Sequence, residues 1–222
     1  VCGSHGVTRP GGTALNAGQV GAVRAADYIA HLAEEAKITA EMKADSITQA
    51  KTCIELCHQC CGTEKLSDIW KRASARMSQY AGMIRNESDL KKGLLETEKE
   101  LENLTLNAKK PVSGEFSLFY HLRDMLISQM VYQYAMIDYI RHGGQSRGSA
   151  LYTDDTGTMP EGELPEIFTC KLDRGLHGNE VQEIILKNGH CSSKWREVRA
   201  IPESDNFFEN QWRKYREKYR IQ

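Results

Sequence analysis

The chain has 222 residues and a mass of 25.1 kDa, enough for one or two domains with a buried core. Its 29 Lys and Arg against 30 Asp and Glu give a net charge of -1, so no overall basic field directs it to nucleic acid or to a membrane surface. An apolar fraction of 40% without a long apolar run excludes a membrane span, and 27% charged with 8% aromatic residues excludes wholesale disorder. Seven cysteines and no leading basic-then-apolar segment fit a reducing cytoplasm. The chain opens on Val1, so the expectation is a trimmed product or a piece of something longer.

Six of the 18 glycines fall within the first 21 residues. The segment reads as a tight loop turning into a helix, with Thr13 as N-cap and an Ala-rich face of Ala22, Ala25, Ala26, Ala30 and Ala33. From about Glu34 to Asn107 apolar residues recur three and four apart. Ile47, Ala50, Ile54 and Cys57 form one stripe, and Leu90, Leu94, Leu101 and Leu104 another. Breaks fall at Gly62 with Ser67 and at Arg85-Asn86 before Ser88. A further helix runs from about Phe116 to His142, with Phe119, Leu122, Leu126, Met130 and Ile137 on one side, and stops at Gly143-Gly144. Residues 143–165 hold five glycines and two of the five prolines and read as a loop. Val181–Leu186, the turn Lys187-Asn188-Gly189, and a strand from Lys194 to Ile201 read as a β-hairpin. Asp205–Arg220 returns to helical spacing, with Phe208, Trp212, Tyr215 and Tyr219 on one face. The predicted fold is mainly α: a helical bundle with a small β-hairpin and a C-terminal helix. Its segments are 1–33 (loop plus helix), 34–142 (bundle) and 143–222 (loop, hairpin and helix).

Two constellations bear chemistry. A helix start after Gly11 and Gly12 presents free amides and a positive dipole end, and Arg9 stands where a guanidinium clamps a carboxylate with paired hydrogen bonds. The plain alternative is a left-handed turn with Arg9 in a surface ion pair. The second constellation is Cys53, Cys57 and Cys60, followed by Cys61. C-x3-C-x2-C is the cluster-binding spacing of radical-SAM enzymes, but on a helix these residues share one face and pack as small hydrophobes without metal. The basic residues around Trp212, Tyr215 and Tyr219 read as the wet side of an amphipathic helix rather than a nucleic-acid reader.

The run His5-Gly6-Val7-Thr8-Arg9-Pro10-Gly11-Gly12-Thr13-Ala14-Leu15 resembles the last flavin-contacting segment of the succinate dehydrogenase/fumarate reductase flavoprotein family. Two further blocks in the same order resemble that family: Met77–Arg85 with Leu90 and Gly93-Leu94, then Gln145-Ser146-Arg147-Gly148 followed by Asp154 or Asp155. The resemblance covers residues 1–155. It implies an FAD-dependent oxidoreductase in which Arg9 clamps the substrate carboxylate, His5 lines the same pocket, and Gly11, Gly12, Ala14 and Leu15 approach the flavin. Ala14 stands where the family has Ser, and Gln145 where it has Glu. The family's dinucleotide-binding fold has no counterpart in the 222 residues. The chain is therefore expected to be the C-terminal part of such a flavoprotein, inert alone and partnered by the missing N-terminal flavin-binding portion. FAD belongs to the intact parent, and an electron-transfer partner or a homo-oligomer is compatible with this reading. The competing readings are a non-enzymatic helical interaction module and a cysteine-rich metal or iron–sulfur helix.

Overall fold

The computed structural model describes residues 12–31, 38–148, 150–198 and 207–219. These are mainly helical, as the periodicity predicts. The chain divides into two compact units, residues 1–43 with 199–222, and residues 44–198.

In the first unit, α1 spans Thr13–His31 and α7 spans Phe207–Tyr219. Gly12 precedes α1 at φ +80°, a left-handed conformation that glycine adopts without strain. The Arg24 guanidinium lies 5.0 Å from the Trp212 ring centroid, and Trp212 stacks on Tyr215 at 5.5 Å. Trp212 thus meets both a guanidinium and a neighbouring ring; the Phe208 and Tyr219 side chains lie outside the described ones.

Helix α2, Ala40–His58, begins where the Met42 amide donates to the Thr39 hydroxyl at 3.1 Å. Its residues from Ala44 onward belong to the second unit. There α3 (Leu66–Ala81), α4 (Glu87–Glu102), the single turn α5 (Leu104–Asn107) and α6 (Phe116–Arg141) follow. Helix α6 presents Phe119, Leu122, Leu126, Met130 and Ile137, all buried, to α3 and α4. Phe119, Leu122 and Leu126 join Leu66, Ile69 and Ala73 of α3, Leu104, Ala108, Cys57 and Cys60 in the main cluster, while Ala81, Leu90 and Ile137 form a second. Through the core runs a polar layer. Arg76 pairs with Glu100 inside the bundle, Arg72 donates from Nε to the same carboxylate at 2.9 Å, and Gln129 donates to the Ala73 carbonyl at 3.1 Å. A buried guanidinium is tolerated only because its carboxylate is buried with it.

The α2–α3 connection is clamped on the α5–α6 connection by parallel bridges Gly62↔Lys109 and Glu64↔Ala108. A Cβ at Gly62 would lie 2.0 Å from the Asn107 carbonyl oxygen, so only glycine allows this approach. The restart before α4 is capped by Asn86, whose side chain accepts the Asp89 amide at 2.8 Å.

The structure corrects two expectations. Residues 143–165 contain a strand, β2 (Leu151–Thr158), which pairs in parallel with a two-residue β1 (Ile84–Arg85). Asp154, Asp155 and Gly157 interrupt the strand pattern, and its partner is more than sixty residues away, so periodicity carries no signal for it. The hairpin pairs β3 (Glu180–Lys187) with β4 (His190–Glu197) around Asn188 and Gly189, at φ +52° and +80°. Two positive φ values are what a two-residue turn of this hand requires. β4 thus starts at His190, four residues before the expected Lys194, because a two-residue turn continues pairing at once.

Leu126→Ala should lower the unfolding free energy by about 2–5 kcal/mol in urea titrations, and Gly62→Ala by about 1–3 kcal/mol. Leu118→Ala, on the exposed side of α6, should stay within about 0.5 kcal/mol.

Candidate functional site

Of the residues marked by the sequence, His5, Arg9 and Gly11 lie outside the described residues. Gly12 is exposed, with nothing within 4 Å of where a Cβ would sit. The first hydrogen bond of α1 among the described residues runs from the Asn16 amide to the Gly12 carbonyl at 3.2 Å. The Ala14 and Leu15 amides precede it and belong to the first-turn donors that a helix leaves for other partners. The Leu15 side chain is 68% exposed, as is Ile29, and Val23 is 61% exposed.

The cysteine stripe splits. Cys57 and Cys60 are buried, whereas Cys53 and Cys61 are exposed. Burial, reinforced by neighbouring cysteines, pushes the Cys57 and Cys60 thiols up and so disfavours the thiolate that a metal needs. Among the described residues no group of three or more His, Cys, Asp or Glu is placed to hold a metal ion.

The second and third sequence blocks meet in one corner of the second unit. Tyr80 of the Met77–Arg85 block packs on Gly93, where an added Cβ would lie 3.0 Å from the ring. At the end of α6, Gly143 takes φ +81°, and a Cβ on Gly144 would lie 2.4 Å from the Tyr139 ring. The chain is thereby folded back so that the Tyr139 hydroxyl donates to the Gln145 carbonyl at 2.9 Å. Buried Ser146 is the pivot. Its hydroxyl accepts the Tyr152 amide at 2.8 Å, its own amide donates to the Lys171 carbonyl at 2.9 Å, and its carbonyl accepts the Asp173 amide at 2.8 Å. Arg147 reaches Asp173 at 3.5 Å. From the other block, Arg85 donates to the Gly82 carbonyl at 2.6 Å and to the Tyr152 hydroxyl at 3.2 Å.

Two cavities flank this corner and share Gln145 and Lys171. One, of about 410 Å³, is lined by Asn86, Glu87, Gly144, Tyr152 and Asp154. The other, of about 610 Å³, is lined by Thr156, Thr158, Cys170, Arg174 and Leu176. Hydrogen bonds from Thr156 and Lys171 hold the Asp154 carboxyl down to about 2. Hydrogen bonds from Lys91 and Arg141 hold Glu87 below the usual carboxylate range. Both carboxylates are therefore fixed as anions and spent on neighbours, an arrangement suited to holding a shape rather than to transferring protons.

A third cluster escaped the sequence reading. Asp138 of α6 is buried and accepts from Gln182 at 2.8 Å, Ser193 at 2.7 Å and the Trp195 indole at 2.9 Å. Burial by itself would raise this carboxyl, but those three donors outweigh it and hold Asp138 low. The alternation of Gln182 on β3 with Ser193 and Trp195 on β4 was the available signal; it says which side faces inward but not which helix residue receives it.

Compared with models of protein families, with curated proteins and with solved structures, the chain matches none. Among the described residues no helix is long and apolar enough to cross a membrane.

Ser146→Ala should leave the Tyr152 amide without its partner and lower stability by about 1–3 kcal/mol. In hydrogen exchange the Tyr152 amide should lose protection, while the Asp173 amide, bonded to the backbone carbonyl of residue 146, and the α6 core amides keep theirs.

Proposed function

We propose that this chain is the C-terminal portion of an FAD-dependent oxidoreductase of the fumarate reductase/succinate dehydrogenase type, inert until joined to an N-terminal flavin-binding portion. The observation that supports this reading is the meeting of two blocks that separately resemble the family. Ile84-Arg85 of the second pairs with Leu151-Tyr152, directly after Gln145–Gly148 of the third. Blocks that resemble one family in sequence order are thus also joined by hydrogen bonds.

The residues described at the start of α1 suit a flavin. An open glycine is followed by helix-start amides of Ala14 and Leu15, which offer donors and a positive dipole end to an electron-rich ring. When bound, FAD supplies hydride transfer at N5 to or from a carbon–carbon bond beside a carboxylate. The chain's own part is binding and orientation. As the resemblance implies, Arg9 would clamp the carboxylate, His5 would line the same pocket, and Gly11 and Gly12 would approach the flavin. The exposed Leu15, Val23 and Ile29 give α1 an apolar surface for the flavin-binding portion. With Ala14 for Ser and Gln145 for Glu, the substrate is a carboxylate left unnamed.

The second reading, a non-enzymatic helical interaction module, draws on the same exposed residues together with Ile47 and Ile54 on α2. Activity separates the two. Assembled with the N-terminal portion and FAD, the chain should restore electron transfer from a reduced viologen to fumarate as a test acceptor. Arg9→Gln should then lower kcat/KM by about 10²–10³-fold with flavin content unchanged. An assembled protein in which Arg9→Gln has no effect on an acceptor carboxylate contradicts the assignment.

A further inference from the structure

The hairpin's attachment to α6 contains a group whose hydrogen bonds demand one protonation state. His177, in the loop before β3, points Nδ1 at a Glu180 carboxylate oxygen at 2.7 Å and Nε2 at the His142 backbone carbonyl at 2.9 Å. Both partners are acceptors, and a neutral imidazole donates through only one nitrogen. Both bonds form together only when the ring carries two protons and a positive charge. The ring lies 4.6 Å from Trp195 and 6.0 Å from Tyr139, between centroids, so the charge is held near two π faces. Trp195 has the His142 ring 4.9 Å away and donates its indole N–H to Asp138. Thus β3, β4, the 173–177 loop and the end of α6 converge on one cluster.

We propose that the β3–β4 hairpin is a strap held on α6 by a proton on His177, tight when that ring is an imidazolium and loosened when it is neutral. The charged and titratable groups facing His177 are Glu180 on β3, Tyr139 on α6, His142 just after it, and Asp173, which is itself paired with Arg147. Asp138 lies behind His142, whose Nδ1 is 3.4 Å from its carboxylate. The hydrogen bond to Glu180 outweighs partial burial and raises the His177 imidazole above its ordinary value. A raised folded value means that its stabilisation is fully present below about 6.5 and is lost as pH rises through the folded value. Asp138, held low, works in the opposite sense: its contribution is present above about 4 and is lost as pH falls through its folded value. The strap is therefore tightest between these two titrations and loosens on the alkaline side through His177. Asp138 also lines a small cavity of about 140 Å³ with Leu94, Tyr134 and Ile137.

The test follows the Trp195 indole N–H by NMR, assigned with Trp195→Phe, across pH 5.5 to 9.5. Its exchange rate, divided by the intrinsic rate at each pH, reports strap opening. The expected result is protection that falls with the His177 titration seen at its own ring carbons, by a factor of ten for each unit that separates the folded pKa from the unfolded one. His177→Gln should abolish this pH dependence, and Glu180→Gln should shift it to lower pH. Both should leave the α6 amides protected. Should His177→Gln fail to fold, the wild-type titration and Glu180→Gln still decide the matter. Indole protection that is independent of pH, or a His177 ring that titrates at or below its ordinary value, overturns the proposal.

Discussion

The second unit depends on the burial of one helix on several sides. Over its 26 residues α6 gives Phe119, Leu122 and Leu126 to the main cluster, Ile137 to the smaller one, and Asp138 to the hairpin. A helix buried this way has little freedom to rotate, because a turn of one residue moves every apolar side chain by 100° and carries Asp138 away from its three donors. Hydrophobic area supplies the gross driving force, and the polar contacts select the register. The Arg76–Glu100 pair acts similarly between α3 and α4: each charge is tolerable in the interior only opposite the other.

Where α6 ends, glycine decides the path. Gly143 reverses the chain, Gly144 slides beneath Tyr139, and Ser146 then gathers three strands of backbone with one side chain and its own peptide groups. The corner joins segments far apart in sequence, from Arg85 to Asp173. Glu87, Asp154 and Asp173 are each held there by ion pairs, to Lys91 and Arg141, to Lys171, and to Arg147.

The bundle was legible because long amphipathic helices write their buried face every three or four residues. Every α6 residue read as core is buried, and Asn-Gly at 188–189 announced a two-residue turn. The stripe on α2 was legible as a pattern, but only its last member, Cys57, is buried, since Ile47 and Ile54 face outward. Periodicity reports that a face is apolar and not what covers it. β2 was illegible because its strand partner among the described residues is two residues long and distant. The Asp138 cluster was illegible because a carboxylate in a helix normally signals solvent, and nothing local reveals the three donors arriving from a hairpin more than forty residues later. Of the candidate site, residue types and motif order were readable, whereas the meeting of the second and third blocks required the fold.

The functional account rests on α1 being the edge of a site completed by other polypeptide. Gly12 is open and Leu15, Val23 and Ile29 are exposed, which is what such an edge requires. The most direct measurement is the visible absorbance remaining after FAD is mixed with the chain and desalted, first alone and then with the N-terminal flavin-binding portion. The account predicts no retained flavin for the chain alone and near-stoichiometric flavin for the pair. Stoichiometric flavin on the chain alone, or none on the pair, contradicts it.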